Sequence, residues 1–162
     1  MKIRFYSVAM LFLALGVPLL KGCGGSSNGS SNVPLPVQPP PASADQFAVV
    51  ARSTQTQWRD GTPVALEIEV KNVSDRAATL QFPSGQSFDF AATREGETQP
   101  VWRWSMDKVF TQVFRSQTLS AGQSLKFSAR WEDPSPGRYR IVGTIAANGG
   151  IDAAPFTIEI VP

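Results

Sequence analysis

From Phe47 to the end of the chain, apolar residues recur at every second position, a period that builds strands with one buried face and gives no helical stripe. Val64, Leu66, Ile68 and Val70 alternate with Ala65, Glu67, Glu69 and Lys71. Leu125, Phe127, Ala129 and Trp131 do the same, and so do Phe156, Ile158 and Ile160. Phe47-Val49-Ala51, Ala78-Leu80-Phe82, Phe88-Phe90-Ala92 and Tyr139-Ile141-Ile145 supply four more runs. Turn chemistry separates them: Asp60-Gly61-Thr62-Pro63, Asn72-Val73-Ser74-Asp75, Pro83-Ser84-Gly85, Glu95-Gly96, Ala121-Gly122, Pro134-Ser135-Pro136-Gly137 and Asn148-Gly149-Gly150. Short strands at this spacing predict an all-β fold, an antiparallel sandwich of seven to eight strands in residues 46–162.

The N-terminus has a different logic. Lys2 and Arg4 precede an apolar run from Phe5 to Leu20 that is too short and too interrupted to span a bilayer. It reads as a signal peptide over residues 1–22. Leu20-Lys21-Gly22-Cys23 resembles a bacterial lipoprotein cleavage site, which makes Cys23 the candidate for lipidation. The alternative is an ordinary signal with an incidental cysteine. Lipidation accounts for the position of the single cysteine in an exported chain. It puts the protein at the bacterial cell envelope, anchored to a membrane and facing away from the cytoplasm.

Residues 23–45 read as a tether: Gly, Ser and Asn from Gly24 to Asn32, then Pro34, Pro36 and Pro39-Pro40-Pro41. Such a segment buries little and extends on the order of 3 Å per residue. Loss of residues 1–22 also takes Lys2, Arg4 and Lys21 from the 15 basic residues, leaving 12 against 13 acidic ones. The basicity belongs to targeting, and no basic patch interleaved with aromatics remains to suggest nucleic acid.

Histidine is absent from the chain. That removes Ser-His-Asp and Cys-His catalysis and most zinc sites. No phosphate loop or Gly-x-Ser-x-Gly elbow occurs, the carboxylates form no calcium loop, and no cofactor is implied. Glu67 and Glu69 share a strand face, but it is the face that alternation gives to solvent; Glu95/Glu97 and Glu132-Asp133 lie in turns. The expectation is a binding protein without catalytic, cofactor or metal residues.

The tryptophans carry two readings each. Trp102 and Trp104 share one strand face and fit the gap between sheets, or they form an exposed surface for a partner. Trp58, in the polar stretch from Gln55 to Gly61, fits either role. Tyr139, behind Pro136-Gly137-Arg138, fits a tyrosine corner or plain core.

Phe82-Pro-Ser-Gly-Gln-Ser-Phe-Asp-Phe90, followed by Trp102-Arg-Trp-Ser-Met-Asp-Lys-Val-Phe-Thr-Gln112, resembles the BsuPI family, named for a bacterial intracellular proteinase inhibitor. Val70-Lys-Asn-Val-Ser74 before and Leu119-Ser-Ala-Gly-Gln-Ser-Leu125 after extend the resemblance over most of residues 46–147. It implies an immunoglobulin-like β-sandwich that inhibits a serine proteinase through a preformed loop. The candidate contacts are Ser84, Gly85 and Gln86 in one loop, Met106, Asp107 and Lys108 in another, and Trp58. The alternative is a structural or assembly lipoprotein whose domain binds another protein.

Overall fold

Alternation becomes structure along Val64–Asn72, where burial switches strictly from residue to residue down to Val70. The computed structural model describes residues 44–162 and contains, after a short 3₁₀ turn at Ala44–Gln46, eleven strands among them. They are β1 (Phe47–Ser53), β2 (Gln57–Arg59), β3 (Val64–Asn72), β4 (Ala78–Phe82), β5 (Phe88–Arg94), β6 (Pro100–Arg103), β7 (Arg115–Leu119), β8 (Ser124–Trp131), β9 (Gly137–Ile145), β10 (Ile151–Asp152) and β11 (Phe156–Val161). All seven alternating runs are strands. The remainder are short pieces of two to five residues, too brief for a period to register.

One sheet has the order β1-β3-β8, and the other β2-β11-β9-β5-β6 with β10 on β9. A two-stranded ribbon, β4-β7, stands beside them, joined to the turn after β9 by Asn148, whose N–H donates to the Gln81 carbonyl at 2.9 Å and whose Oδ1 accepts from the Gln81 N–H at 2.9 Å. The pairing is antiparallel as expected, except that β2 runs parallel to β11 with Trp58 opposite Ile160.

Val64, Leu66, Ile68 and Val70 from one sheet and Phe90, Ile141, Ile145 and Ile158 from the other form a core that excludes water almost completely. The layers meet most closely at Gly143. A Cβ there would lie 2.7 Å from Ala51 Cβ and 3.0 Å from the Phe90 ring, so no larger residue fits without separating the sheets. No disulfide is available, and aromatic packing ties the layers instead: Phe88 on β5 stacks on Phe127 of β8 at 5.2 Å.

Two polar side chains fix chain reversals. Asn72 is fully buried, yet its Nδ2 donates to the carbonyls of Arg76 (2.7 Å), Leu119 (2.9 Å) and Ser120 (3.2 Å), while Oδ1 accepts from the Ser74 N–H (3.0 Å) and hydroxyl (2.7 Å). A polar group without water is tolerated because every bonding position is used. Tyr139 satisfies both of its sequence readings: the ring is buried against Trp131, and the hydroxyl donates to the Ser135 carbonyl at 2.8 Å in the manner of a tyrosine corner.

Candidate protein-binding loop

Between β6 and β7 the chain leaves the sheets from Trp104 to Phe114 without entering another element. Its departure is fixed by Asp89, a buried carboxylate on β5. One oxygen accepts from the Phe90 N–H (2.9 Å) and the Ser105 N–H (3.1 Å); the other accepts from the Ser105 hydroxyl (2.7 Å) and Arg103 Nη1 (3.2 Å). Four donors occupy both oxygens, which is why a carboxylate can sit below the surface here. Beyond it the backbone turns twice, with the Met106 N–H donating to the Arg103 carbonyl (3.1 Å) and the Lys108 N–H to the Ser105 carbonyl (3.2 Å).

Trp104 stabilises this turn from beneath. Its indole stacks on Phe88 with centroids 4.2 Å apart, and Lys108 Nζ lies 4.8 Å from the same ring centre. Two groups that close cannot share a face, so Phe88 and the ammonium hold the ring between them. Lys108 also donates to Asp107 at 3.1 Å. That hydrogen bond is the main cause of an Asp107 pKa below the ordinary carboxylate value.

The far end of the loop is clamped by the other candidate segment. The Gly85 N–H donates to the Thr111 carbonyl at 2.8 Å, and a Cβ on Gly85 would come within 2.6 Å of Thr111 Oγ1. Arg115, at the start of β7, donates to the carbonyls of Ser84 (3.3 Å) and Gly85 (3.2 Å) and to the Ser87 hydroxyl (3.0 Å), with its guanidinium 5.0 Å from the Phe82 ring centre. A Ser84 hydroxyl accepting from the Gln86 N–H at 3.2 Å and Gln86 Nε2 donating to the Phe88 carbonyl at 3.2 Å shape the turn itself. Ser84, Gly85 and Gln86 are half-buried; they form a bracket under the loop.

Between the two anchors apolar side chains point into solvent: Met106 is 71%, Val109 99%, Val113 57% and Phe114 84% exposed. Only Phe110 turns back, to 6.0 Å from Trp104. A loop held at both ends and carrying this much exposed apolar surface is a candidate binding surface.

A family model for BsuPI, described as intracellular proteinase inhibitor, matches residues 50–150, a range that contains both anchors and the whole loop. The chain belongs to the BsuPI family. Membership in an inhibitor family implies a protein partner. No curated protein matches the chain. Among solved structures, the chain is similar to the sporulation control protein Spo0M of Bacillus subtilis at 15% identity over 72% of this chain and 50% of that one, with a TM-score of 0.49. It is also similar to the CARDB domain of PF1109 from Pyrococcus furiosus at 15% identity over 71% and 92%, TM-score 0.42. A β-glucosidase from Listeria innocua aligns at 15% identity over 72% of this chain, with a TM-score of 0.44, and the chain spans only 16% of that enzyme's length.

Of the loop residues expected in the BsuPI domain, Met106, Asp107 and Lys108 lie in the turn at the near end of the loop, and Ser84 and Gly85 contact its far end at Thr111 and Arg115, with Gln86 shaping that second turn. Trp58 is not among them, which corrects its candidacy. It is buried, 7% exposed, and its indole N–H donates to the Ser53 hydroxyl and the Gln55 carbonyl, both at 3.1 Å. The parallel pairing of β2 with β11 turns Trp58 inward although Gln57 and Arg59 beside it are exposed. Trp102 and Trp104 fall between their two readings: each is half-buried and packed against the core. Glu67 and Glu69 occupy the outer face as alternation requires, Glu67 paired with Arg52 at 2.7 Å and Glu69 with Lys126 at 3.5 Å. Sequence reasoning missed Asp89 and Arg115. An acid between two aromatics in a strand was the available signal for the first; nothing distinguishes the second. Cys23 and the tether lie outside the described residues.

Proposed function

We propose that this BsuPI domain is a serine-proteinase inhibitor tethered at the cell envelope, and that Met106 to Phe114 is the segment that enters the protease cleft. The observation that carries the reading is a loop fixed at both ends, by Asp89 and by Gly85 with Arg115, whose intervening apolar side chains face solvent. A cleft-filling loop gains affinity when its ordering cost is met by the scaffold before binding. Met106, Asp107 and Lys108 contact the protease in this reading, while Ser84, Gly85 and Gln86 support them.

The basic start, the apolar run and Leu20-Lys21-Gly22-Cys23 support a lipid anchor on Cys23 and a position outside the cytoplasm. Residues 23–45 then serve as a leash for the domain at 46–162. The test is a panel of serine proteases assayed with residues 46–162 and with a variant in which Met106-Asp107-Lys108 is replaced by Gly-Ser-Gly. Inhibition by the first and not by the second is the expected result. Undiminished inhibition by the replacement removes the loop from the contact, and no inhibition of any protease by the folded domain removes the function.

A further inference from the structure

Three of the four tryptophans, Trp104 of the loop turn among them, converge on a groove beside the loop. The groove, of about 720 Å³, runs over the end of β8, lined by Trp102, Trp104 and Trp131, by Glu132 and Asp133, and by Asp107 and Lys108 of the loop. Within that lining Trp102 and Trp131 stack at 5.2 Å and 13°. None of these three indole N–H groups has an acceptor among the described residues, and none is sealed from solvent by them. Trp58, in the core, has two acceptors.

The groove also borders an unpaired strand edge. Among the described residues β8 is the last strand of its sheet and pairs only with β3. The Thr54 N–H donates to the Ala65 carbonyl, so the odd-numbered residues of β3 direct their backbone groups to β1 and the even-numbered ones, Leu66 and Ile68, direct theirs to Ala129 and Phe127. The backbone groups of Lys126, Ser128 and Arg130 therefore point outward. At the far end Lys126 is paired with Glu69. At the near end Glu132 and Asp133 are exposed carboxylates without an ion pair among the described residues, and they outnumber Arg130, the cation of the groove lining that is likewise without one.

We propose that this groove receives an extended, arginine- or lysine-bearing segment of a partner protein, added as a strand to the free edge of β8. The outward N–H and C=O groups of Ser128 and Arg130 supply the ladder, the indole N–H groups take carbonyls or side-chain acceptors of the segment, and Glu132 and Asp133 take its cation. The surplus of negative charge selects a basic partner, and a strand edge selects an extended one. The groove shares Trp104, Asp107 and Lys108 with the loop turn, but the edge of β8 and the carboxylates of Glu132 and Asp133 lie outside the segment assigned to the protease, so the two readings can fail independently.

The probes are two synthetic peptides, Arg-Val-Thr-Val-Thr-Val-Arg and the same sequence with glutamate for arginine, titrated into the full chain with tryptophan fluorescence and amide hydrogen exchange as readouts. The arginine peptide is expected to bind saturably, to slow exchange at Ser128 and Arg130, and to bind roughly tenfold more tightly than the glutamate peptide. Ser128→Pro removes an outward N–H without taking a ladder bond from β3, and should abolish binding while leaving protease inhibition and the β-sheet spectrum unchanged. Should that variant not fold, Glu132→Lys with Asp133→Lys, both at exposed positions, must reverse the peptide preference. Equal affinity for both peptides, protection elsewhere than β8, or binding unaltered by either variant overturns the proposal. Concentration-dependent dimerisation of the chain that Ser128→Pro abolishes also overturns it, by assigning the edge to a second copy.

Discussion

Ser105 donates both its backbone N–H and its hydroxyl to the buried carboxylate of Asp89, 16 residues earlier in the chain. The pair ties the end of β6 to β5 where the sheet stops, and with Arg103 Nη1 as a further donor it sets the direction in which the exposed loop departs. Asp89→Ala leaves these donors without their acceptor in a water-poor place, at a cost of about 1–3 kcal/mol. We expect a lower unfolding midpoint and a larger loss of protease inhibition than stability alone explains. Unchanged inhibition in the folded fraction would separate loop geometry from function.

Gly85 offers a test of the other anchor that does not touch the exposed surface. A Cβ at this position meets Thr111 Oγ1 at 2.6 Å and the Thr111 N–H nitrogen at 3.3 Å, so Gly85→Ala pushes the loop off its bracket. Thr111→Ala deletes the closer obstacle. In a double-mutant cycle the second substitution should recover part of the loss, with a coupling of roughly 0.5–3 kcal/mol as found for residues in contact. Additive effects would mean that the bracket does not hold the loop.

Trp104 and the turn it supports should respond oppositely to substitution. Trp104→Ala removes the partner of Phe88 and Lys108, and because the ring is half-buried the cost should be about 2 kcal/mol, below the 3–5 kcal/mol typical of fully buried aromatic deletions. Replacing Met106-Asp107-Lys108 by Gly-Ser-Gly removes exposed side chains and should change stability by less than about 1 kcal/mol. Chemical denaturation of both variants is the measurement. A stable Trp104→Ala beside an unfolded loop replacement reverses the assignment of support and surface.

The strands were legible because their inner and outer faces differ in polarity at every step, as along Val64–Val70. Trp58 was not: a strand of three residues has no period, and its parallel partner β11 lies about a hundred positions away in sequence. Asn72 looked like turn punctuation because its side chain is polar, whereas its work is done inside the protein on three carbonyls. The loop was located by the family motif, but its exposed face was not, since Val113 and Phe114 belong by polarity to a core. What keeps them outside is the pair of anchors, Asp89 and Arg115, and each anchor is a long-range contact that no local pattern encodes.

Anchoring of the whole chain is tested at Cys23. Each acyl CH₂ buried in a bilayer contributes roughly 0.8 kcal/mol to retention, so a lipidated protein should sediment with membranes and incorporate a fatty-acid probe. Cys23→Ala should abolish both labelling and retention. Label that persists in the variant, or is missing from the wild type, returns the N-terminus to an ordinary signal sequence.

The Asp107 carboxylate gives the loop a pH dependence of defined sign. Its pKa is lowered chiefly by the hydrogen bond from Lys108, so the clip is fully formed above the ordinary carboxylate value and is lost as the pH falls through the lowered one. Asp107 is exposed, and the effect belongs to the loop alone, with no measurable change in global stability. Because Lys108 also sits on the Trp104 ring, release of the clip frees the ammonium and should alter the indole emission in that acidic range. Glu69, lowered mainly by a hydrogen bond from Ser124, titrates in the same direction but on the outer face of the other sheet. Asp107→Asn distinguishes the two. It should flatten the acidic fluorescence change while leaving the titration of Glu69 itself intact, and a fluorescence titration identical to the wild type would show that the Asp107–Lys108 clip does not position the ammonium on Trp104.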